Sequence, residues 1–269
     1  MLQMRVNGHD MPYISVGQGA PLVCVHGSLG DFRSWSCVLG PLSRRRRVIT
    51  PSLRRFFPEH WDGVGDGFTI AQHVADLIAF LEGLGGAIDL LGHSRGGHIA
   101  FRVAQQRPDL VRRLVLAEPG GDLDASLAPA AGSAPPPLRS HAAAAAEKIA
   151  VGDIDGGLAT FVDAINGAGA WAKLPAAARQ QRRDNAQTLL GQVNEGRRPY
   201  SRADAEQIRA PTLFIGGADT PGSLPIVLRA LAARVPDARL ELIPNAGHSM
   251  FVDDPVRFSA VALDFLAAP

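Results

Sequence analysis

Short apolar runs alternate with amphipathic segments along most of this 269-residue chain. Each run is bounded by glycine, proline or charged residues, a pattern typical of buried β-strands. The runs cover residues 22–25, 48–49, 88–91, 114–117, 212–215 and 240–243. Helical periodicity follows several of them, over residues 70–84, 225–235 and 255–266. Such alternation predicts a mostly parallel sheet covered by helices on both faces, an α/β fold.

The N-terminal residues predict a different local structure. Two apolar segments, residues 4–6 and 11–16, flank Asn7-Gly8-His9-Asp10. Asn-Gly favours a tight turn because both residues tolerate positive φ angles. We therefore expect a β-hairpin at this end, which would form an antiparallel edge of the sheet.

The alternation stops in the middle of the chain. This segment is rich in alanine and glycine, contains Pro135-Pro136-Pro137, and shows helical patterns over residues 141–151 and 156–165. We interpret it as a helical cap inserted into the α/β domain. The predicted division is a core domain of residues 1–121 and 209–269 and a cap of residues 122–208.

Composition excludes several classes of function. With 46% hydrophobic residues the chain can bury a large core, and its net charge of +1 creates no field that would attract nucleic acid or an anionic membrane. Its two cysteines, Cys24 and Cys37, make no disulfide framework or metal-ligand pattern. No segment has the length of a membrane span, and the N-terminus lacks a signal-like apolar region. We expect a cytoplasmic protein without a metal or cofactor.

A glycine-framed serine follows the run at residues 88–91. Gly92-His93-Ser94-Arg95-Gly96 joins this predicted strand to the helical pattern that begins near His98. In a nucleophile elbow, the serine lies at a strained turn, and the flanking glycines let helix and strand approach closely. The pentapeptide alone is a weak signal, but its position between strand and helix predicts that Ser94 is a nucleophile.

A serine hydroxyl needs a general base, and the chain has eight histidines. His248 follows the last predicted strand, and in a parallel sheet this loop opens at the same edge as Ser94. We therefore predict that His248 is the base. Asp219, which follows the preceding strand through a Gly-Gly-Ala approach, is the preferred residue to orient the histidine. Glu118, at the end of the run at residues 114–117, is the competing acid.

Acyl transfer also requires donors for the oxyanion, and backbone amides can supply them. The amide of Arg95 lies directly after the nucleophile, at a helix N-terminus that favours negative charge. The amide of Ser28 follows His26-Gly27 at the end of the run at residues 22–25. These two amides are the predicted oxyanion hole.

Four motifs taken together resemble the α/β-hydrolase superfamily over essentially the whole chain. They are Val25-His26-Gly27, Gly92-His93-Ser94-Arg95-Gly96-Gly97, Gly217-Ala218-Asp219 and Gly247-His248. The chain looks most similar to small capped serine esterases, lactonases and cofactor-free haloperoxidase-like members. This resemblance implies an eight-stranded, mostly parallel sheet, a helical cap after strand six, and metal-free hydrolysis through an acyl-enzyme.

The loop after strand four departs from the family pattern. Relatives usually carry Asp-x-Arg-Gly-x-Gly there, whereas this chain has Ser52-Leu53-Arg54-Arg55-Phe56-Phe57-Pro58. We interpret Arg54 as structural, while Arg55 could bind a substrate carboxylate or lie in solvent. The other candidates for substrate binding are aromatic, and each could instead belong to the core. They are Phe32, Trp35, Phe57 and Trp171.

The expected reaction is hydrolysis of a small-molecule carboxylic ester or lactone. Carbon–carbon bond hydrolysis, perhydrolysis and other non-hydrolytic reactions use the same scaffold and triad, so they remain alternatives. A ligand-binding sensor with slow turnover is an alternative from another class. Nothing in the sequence indicates a nucleic-acid or membrane partner, and a homodimer is left open.

Overall fold

The computed structural model describes residues 1–127 and 138–267. A single eight-stranded sheet lies at its centre. In chain order the strands are β1 (Leu2–Val6), β2 (His9–Val16), β3 (Pro21–Val25), β4 (Arg47–Pro51), β5 (Ile88–His93), β6 (Val111–Ala117), β7 (Thr212–Gly217) and β8 (Ala238–Ile243). Within the sheet they lie in the order β1-β2-β4-β3-β5-β6-β7-β8.

The strand pairing confirms the predicted sheet. β1 pairs with β2, and β2 with β4, in antiparallel fashion, whereas all other neighbours are parallel. Val6 lies opposite His9 in the N-terminal hairpin. The intervening Asn7 and Gly8 have φ angles of 46° and 76°, as a tight two-residue turn requires. The hairpin thus forms the antiparallel edge that the Asn-Gly pair predicts.

Helices cover both faces of the sheet. In the described residues they are α1 (Ser36–Ser43), α2 (Ile70–Leu84), α3 (Arg95–Gln106), α4 (Leu138–Ala150), α5 (Ile154–Asn166), α6 (Ala170–Lys173), α7 (Ala176–Asp184), α8 (Thr188–Val193), α9 (Arg202–Glu206), α10 (Leu224–Ala232), α11 (Met250–Asp253) and α12 (Pro255–Ala267). None of them is long and apolar enough to cross a membrane.

Alternate residues of the strands supply two separate hydrophobic cores. Val23 and Val25 of β3 pack in a core that includes residues of α2, α3 and α10. Leu22 and Cys24, which point to the opposite face, pack in a second core with residues of α1, α11 and α12. This alternation follows from the two-residue period of a strand and explains why a strand buried on both sides is a continuous apolar run.

Helices α4 to α9 follow β6 and precede β7, which confirms a helical cap after strand six. They have a small apolar core of their own, to which Leu29 contributes from the loop after β3; its cap members include Ile149, Leu158, Val162 and Leu189. The division at residues 122 and 208 stays a prediction. Pro135-Pro136-Pro137 lies outside the described residues.

The start of α3 packs against the strand ends with no room for side chains. A Cβ atom added to Gly96 would lie 2.5 Å from the Val25 carbonyl oxygen and closer still to that of His26. One added to Gly92 would lie 2.5 Å from the Gly96 carbonyl oxygen. Glycine at both positions is therefore a requirement of the backbone packing, as the sequence predicts.

Replacing Gly96 by alanine should destabilise the protein. The added methyl group meets backbone atoms that cannot rotate away, and overpacking of this kind costs about 1–3 kcal/mol. We expect Gly96→Ala to lower the free energy of unfolding by that amount in urea denaturation.

Gly40→Ala provides the matched control. Gly40 also lies within a helix, α1, but nothing lies within 4 Å of an added Cβ atom. Because alanine has the higher helix propensity, this variant should be as stable as the parent or more stable by up to about 1 kcal/mol. Equal stability of the two variants would contradict the steric interpretation.

Candidate active site

Ser94 occupies the sharp turn between β5 and α3. Its φ and ψ angles are 53° and −121°, a backbone conformation that is strained for any residue except glycine. The turn is held by the Ser94 amide, which donates to the Ala117 carbonyl at 3.0 Å, and by the Ser94 carbonyl, which accepts from Gly120 at 2.9 Å. A half-buried serine hydroxyl at the strand end is the arrangement of a nucleophile elbow.

His248 lies in the loop after β8 and is almost fully buried, with 5% of its surface exposed. Its Nδ1 atom lies 2.6 Å from the Oε2 atom of Glu118. Because Glu118 is fully buried and His248 nearly so, this hydrogen-bonded pair has little contact with water. A carboxylate on Nδ1 fixes the ring orientation and leaves Nε2 available to accept a proton.

The partner of the histidine is therefore Glu118, and the preferred prediction of Asp219 is wrong on geometry. Asp219 is exposed and forms no side-chain hydrogen bond or ion pair in the described part of the chain. Its amide donates to the Ala246 carbonyl at 2.9 Å, which places the residue beside the loop of His248, although its side chain is exposed.

The Gly216-Gly217 pair at the end of β7 explains why Glu118, and not Asp219, reaches His248. β7 lies between β6, which precedes Glu118, and β8, which precedes His248. A Cβ atom on Gly216 would lie 3.2 Å from Glu118 Oε1, and the Gly217 amide donates to that same oxygen at 2.9 Å. The glycines thus leave room for the glutamate to reach across one strand.

The ring of His93 contacts both the ring and the backbone of His248. Its Nε2 atom donates to the His248 carbonyl at 2.9 Å, and the two rings lie 4.5 Å apart. Burial, together with the nearby His248, holds the pKa of His93 well below its ordinary value. His93 is thus a neutral structural contact, in agreement with the expectation that it is not the base.

The loop after β3 lies directly beside the elbow. A Cβ atom on Gly27 would be 3.0 Å from that of Ser94. His26 stabilises this loop, because its Nδ1 atom donates to the Gly27 carbonyl at 2.9 Å and its Nε2 atom accepts from the Leu53 amide at 3.1 Å. Burial lowers the pKa of His26 to about 4, so the ring is neutral near pH 7.

Ser28 and Arg95, the predicted oxyanion residues, flank Ser94 from the β3 loop and from the N-terminus of α3. The Ser28 hydroxyl donates to the side-chain oxygen of Gln192 at 2.7 Å, so a cap residue holds the loop in place. The first amides of a helix lack partners within the helix and favour an anion.

The side chain of Arg95 points away from the oxyanion position into a buried cluster. Its Nε atom donates to Glu195 at 2.7 Å, and its Nη2 atom donates to Nδ1 of His73 at 2.8 Å. Glu195 also pairs with Arg197. Burial alone would raise the pKa of Glu195, but the two arginines lower it below its ordinary value.

A cavity of about 80 Å³ lies between the elbow and the cap. Ser28, Ser94 and His248 line its core side, and the cap contributes apolar and polar residues: Phe161, Val162, Ile165, Asn166, Arg182, Gln192 and Arg197. A wider groove of about 880 Å³ shares Ser28 and Arg182 with this cavity and runs between α7 and α11. Asp219 lines this groove and not the cavity.

Among the predicted substrate-binding residues, only Trp35 reaches the groove, and it is fully buried against Phe251 at a ring distance of 4.8 Å. Phe32 and Phe57 line neither the cavity nor the groove. Their ring centres lie 6.1 Å apart, and the guanidinium of Arg33 lies 3.9 Å from the Phe57 ring centre. Their prediction as pocket residues is wrong because both pack at the joint between the β4 loop and the cap.

The predictions for Trp171 and Arg55 as pocket residues are also wrong. Trp171 packs against the core of the cap. Arg55 donates to Glu59 at 2.8 Å and to the Asp66 carbonyl at 2.9 Å within its own loop. Arg54 is structural, as predicted, because it pairs with buried Asp76 at 2.8 Å.

Sequence reasoning missed the polar cap residues of the cavity, chiefly Arg182, Gln192 and Arg197. Arg182 belongs to the charged helix α7, whose sequence is typical of a solvated face. No local signal separates it from its neighbours. Within residues 1–127 and 138–267, no group of three or more His, Cys, Asp or Glu side chains could hold a metal ion.

Comparison with known proteins places this geometry in a family. The model of the alpha/beta hydrolase family matches residues 22–261. The chain is 38% identical over 118 residues to 2-hydroxy-6-oxo-2,4-heptadienoate hydrolase of Pseudomonas putida, a match that covers 42% of this chain and 40% of that relative. It thus spans less than half the length of this relative.

Two other proteins match over most of the chain. It is 28% identical over 262 residues to the mouse sn-1-specific diacylglycerol lipase ABHD11, covering 91% of this chain and 80% of that relative. The fold matches the enol-lactonase of Burkholderia xenovorans with a TM-score of 0.80 at 19% identity, over 99% of this chain and 100% of the other. On the family match, this chain belongs to the alpha/beta hydrolase family.

Proposed function

We propose that the protein is a serine hydrolase that cleaves a small carboxylic ester or lactone through an acyl-enzyme. The observation that supports this best is the 2.6 Å contact between buried His248 and buried Glu118, with Ser94 in the strained turn of the same cavity. A histidine oriented by a carboxylate next to a half-buried serine hydroxyl can generate a nucleophile without any other group.

In the proposed mechanism, the Ser94 oxygen attacks the carbonyl carbon while His248 Nε2 takes the hydroxyl proton. Glu118 stabilises the imidazolium, and the amides of Ser28 and Arg95 donate to the oxyanion. His248 then gives its proton to the leaving alcohol. A water molecule, deprotonated by the same histidine, attacks the acyl-enzyme and releases the acid.

The cavity at Ser94 and the groove that adjoins it favour a substrate with one short part. The cavity of about 80 Å³ holds only a short group, whereas the groove of about 880 Å³ can receive the other part of the substrate. A relative described as a diacylglycerol lipase and a structural neighbour described as an enol-lactonase agree with ester or lactone chemistry.

Carbon–carbon bond hydrolysis is the second candidate. It is favoured by the 38% identity to the heptadienoate hydrolase over 118 residues, the highest of the three identities given above. The same serine, histidine and carboxylate would act, with a carbon leaving group in place of an alcohol.

Ser94→Ala should abolish the activity. Loss of the nucleophile in a serine triad reduces kcat by about 10⁴-fold or more. Turnover of p-nitrophenyl esters of increasing acyl length, of several lactones and of a vinylogous 1,5-diketone would be measured, so that ester, lactone and carbon–carbon cleavage are compared directly. Ser43→Ala, at the end of α1, is the control and should keep parental rates.

Covalent labelling provides an independent readout of the same prediction. A fluorophosphonate should modify the parent at Ser94 and leave Ser94→Ala unlabelled. Full activity in Ser94→Ala, or an adduct on another residue, would contradict the proposed mechanism.

Glu118→Gln should be far more damaging than Asp219→Asn. The amide side chain removes the charge that stabilises the imidazolium and favours the wrong tautomer, a change that reduced kcat by about 10⁴-fold in the trypsin triad. We expect a loss of about 10²- to 10⁴-fold for Glu118→Gln and less than about 3-fold for Asp219→Asn, because Glu118, and not Asp219, forms the hydrogen bond to Nδ1 of the histidine. The reverse order of kcat values would restore Asp219 as the orienting acid.

A further inference from the structure

Arg182 is a half-buried cation that forms no ion pair with the described part of the chain. Its side chain lines both the cavity of Ser94 and the adjoining groove. Its hydrogen bond is with the Ala178 carbonyl of its own helix, at 2.9 Å, and no carboxylate of the described residues forms an ion pair with it. Burial lowers the pKa of Arg182 below its ordinary value. Burying a positive charge costs free energy unless an anion compensates it, so an anionic ligand would be favoured at Arg182.

The nearby carboxylate of Asp31 cannot serve as that partner. Asp31 is fully buried, and both of its oxygens already accept hydrogen bonds. Arg33 donates to them at 2.9 and 2.7 Å, Gln181 at 3.0 Å and Asn185 at 2.8 Å. The field of Asp31 offsets the burial of Arg182 only in part.

A second arginine lies at the same cavity. The Nε and Nη2 atoms of Arg197 donate hydrogen bonds to Glu195, the first at 2.9 Å. Its Nη1 atom has no acceptor among the described residues. This Nη1 atom lies beside the elbow, because a Cβ atom on Gly120 would be 3.3 Å from it and 3.3 Å from the carbonyl carbon of Ser94. Glu195 is itself held by Arg95, so the orientation of Arg197 is fixed before a ligand arrives.

Two arginines line the cavity, whereas Glu195, which pairs with one of them, Arg197, does not. The described residues that line it include two arginines and two histidines but neither aspartate nor glutamate. Arg182, which forms no ion pair with the described residues, and Arg197, with an unused Nη1 atom, can both donate to a carboxylate. Arginine binds carboxylates through charge-assisted hydrogen bonds.

We infer that the substrate is an ester or lactone that carries a second, free carboxylate, which Arg182 and Arg197 bind on the cap side of the cavity. This inference rests on the proposed hydrolase function and narrows its substrate class to anionic molecules. Hydrogen bonds to charged groups contribute about 10- to 100-fold in affinity. The protein should therefore prefer an anionic substrate over its neutral methyl ester by that factor.

Two matched substrate pairs test this preference on either side of the scissile bond. Mono-4-nitrophenyl adipate and its methyl ester differ in charge on the acyl side, and 4-acetoxybenzoate and its methyl ester differ on the alcohol side. We expect kcat/KM to favour the anionic member of at least one pair by 10-fold or more. Equal kcat/KM values within both pairs would overturn the inference and leave the proposed hydrolase function intact.

Variants of α7 identify the residue responsible. Arg182→Met should reduce the anionic-to-neutral ratio of kcat/KM at least 10-fold, and Arg182→Lys should keep part of it because the charge is retained. Arg183→Gln is the control, since Arg183 is exposed on the same helix and pairs with Asp155 away from the cavity. An equal loss for both members of a pair in Arg182→Met, or the same change of ratio in Arg183→Gln, would overturn the assignment.

Binding without turnover separates this inference from the chemistry. In Ser94→Ala, calorimetry should detect binding of adipate or 4-hydroxybenzoate, weakened at least 10-fold when Arg182→Met is added. The absence of binding of both anions, with circular dichroism unchanged, would overturn the inference. Binding of the anions by a protein that hydrolyses none of the four esters would instead contradict the proposed function alone.

Discussion

The close packing of α3 against the ends of β3 and β5 is the constraint on which the site depends. Gly92 and Gly96 allow this approach because a side chain on either would overlap backbone atoms. The chain must then turn sharply between strand and helix, and Ser94 takes the strain with a φ angle of 53°. The same turn brings the α3 amides beside the β3 loop. The positions of the proposed nucleophile and of the predicted oxyanion donors thus follow from one packing contact.

Much of this could be predicted from the sequence, because the relevant signals are local. Apolar runs bounded by breakers, the Asn7-Gly8 turn and the glycines around Ser94 each report on a few neighbouring residues. The acid of the pair could not be predicted this way. Glu118 and Asp219 both follow strands at the same sheet edge, and only the path of the side chain across Gly216-Gly217 separates them. The glycines that favoured Asp219 in the sequence instead make space for its competitor.

The walls of the cavity were still less predictable. Aromatic residues near the loops favoured an apolar pocket, yet Phe32, Phe57 and Trp171 contact other parts of the fold. The residues that line the cavity come from cap helices, where Arg182 lies within a charged stretch. Which charge of such a stretch turns inward depends on how the cap packs on the core, and sequence periodicity carries no information about that.

A net charge of +1 describes the whole chain and conceals how charge is distributed around the site. Glu195 accepts from both Arg95, which supplies an oxyanion amide in the proposed mechanism, and Arg197, which lines the cavity. One buried carboxylate thus connects the first turn of α3 with the C-terminal part of the cap. The charge of Glu195 offsets that of Arg95 and fixes the orientation of Arg197, while Arg182 forms no ion pair within residues 1–127 and 138–267. Because the cluster is buried, solvent screens its charges weakly, and both Arg197 and Arg182 line the cavity beside Ser94.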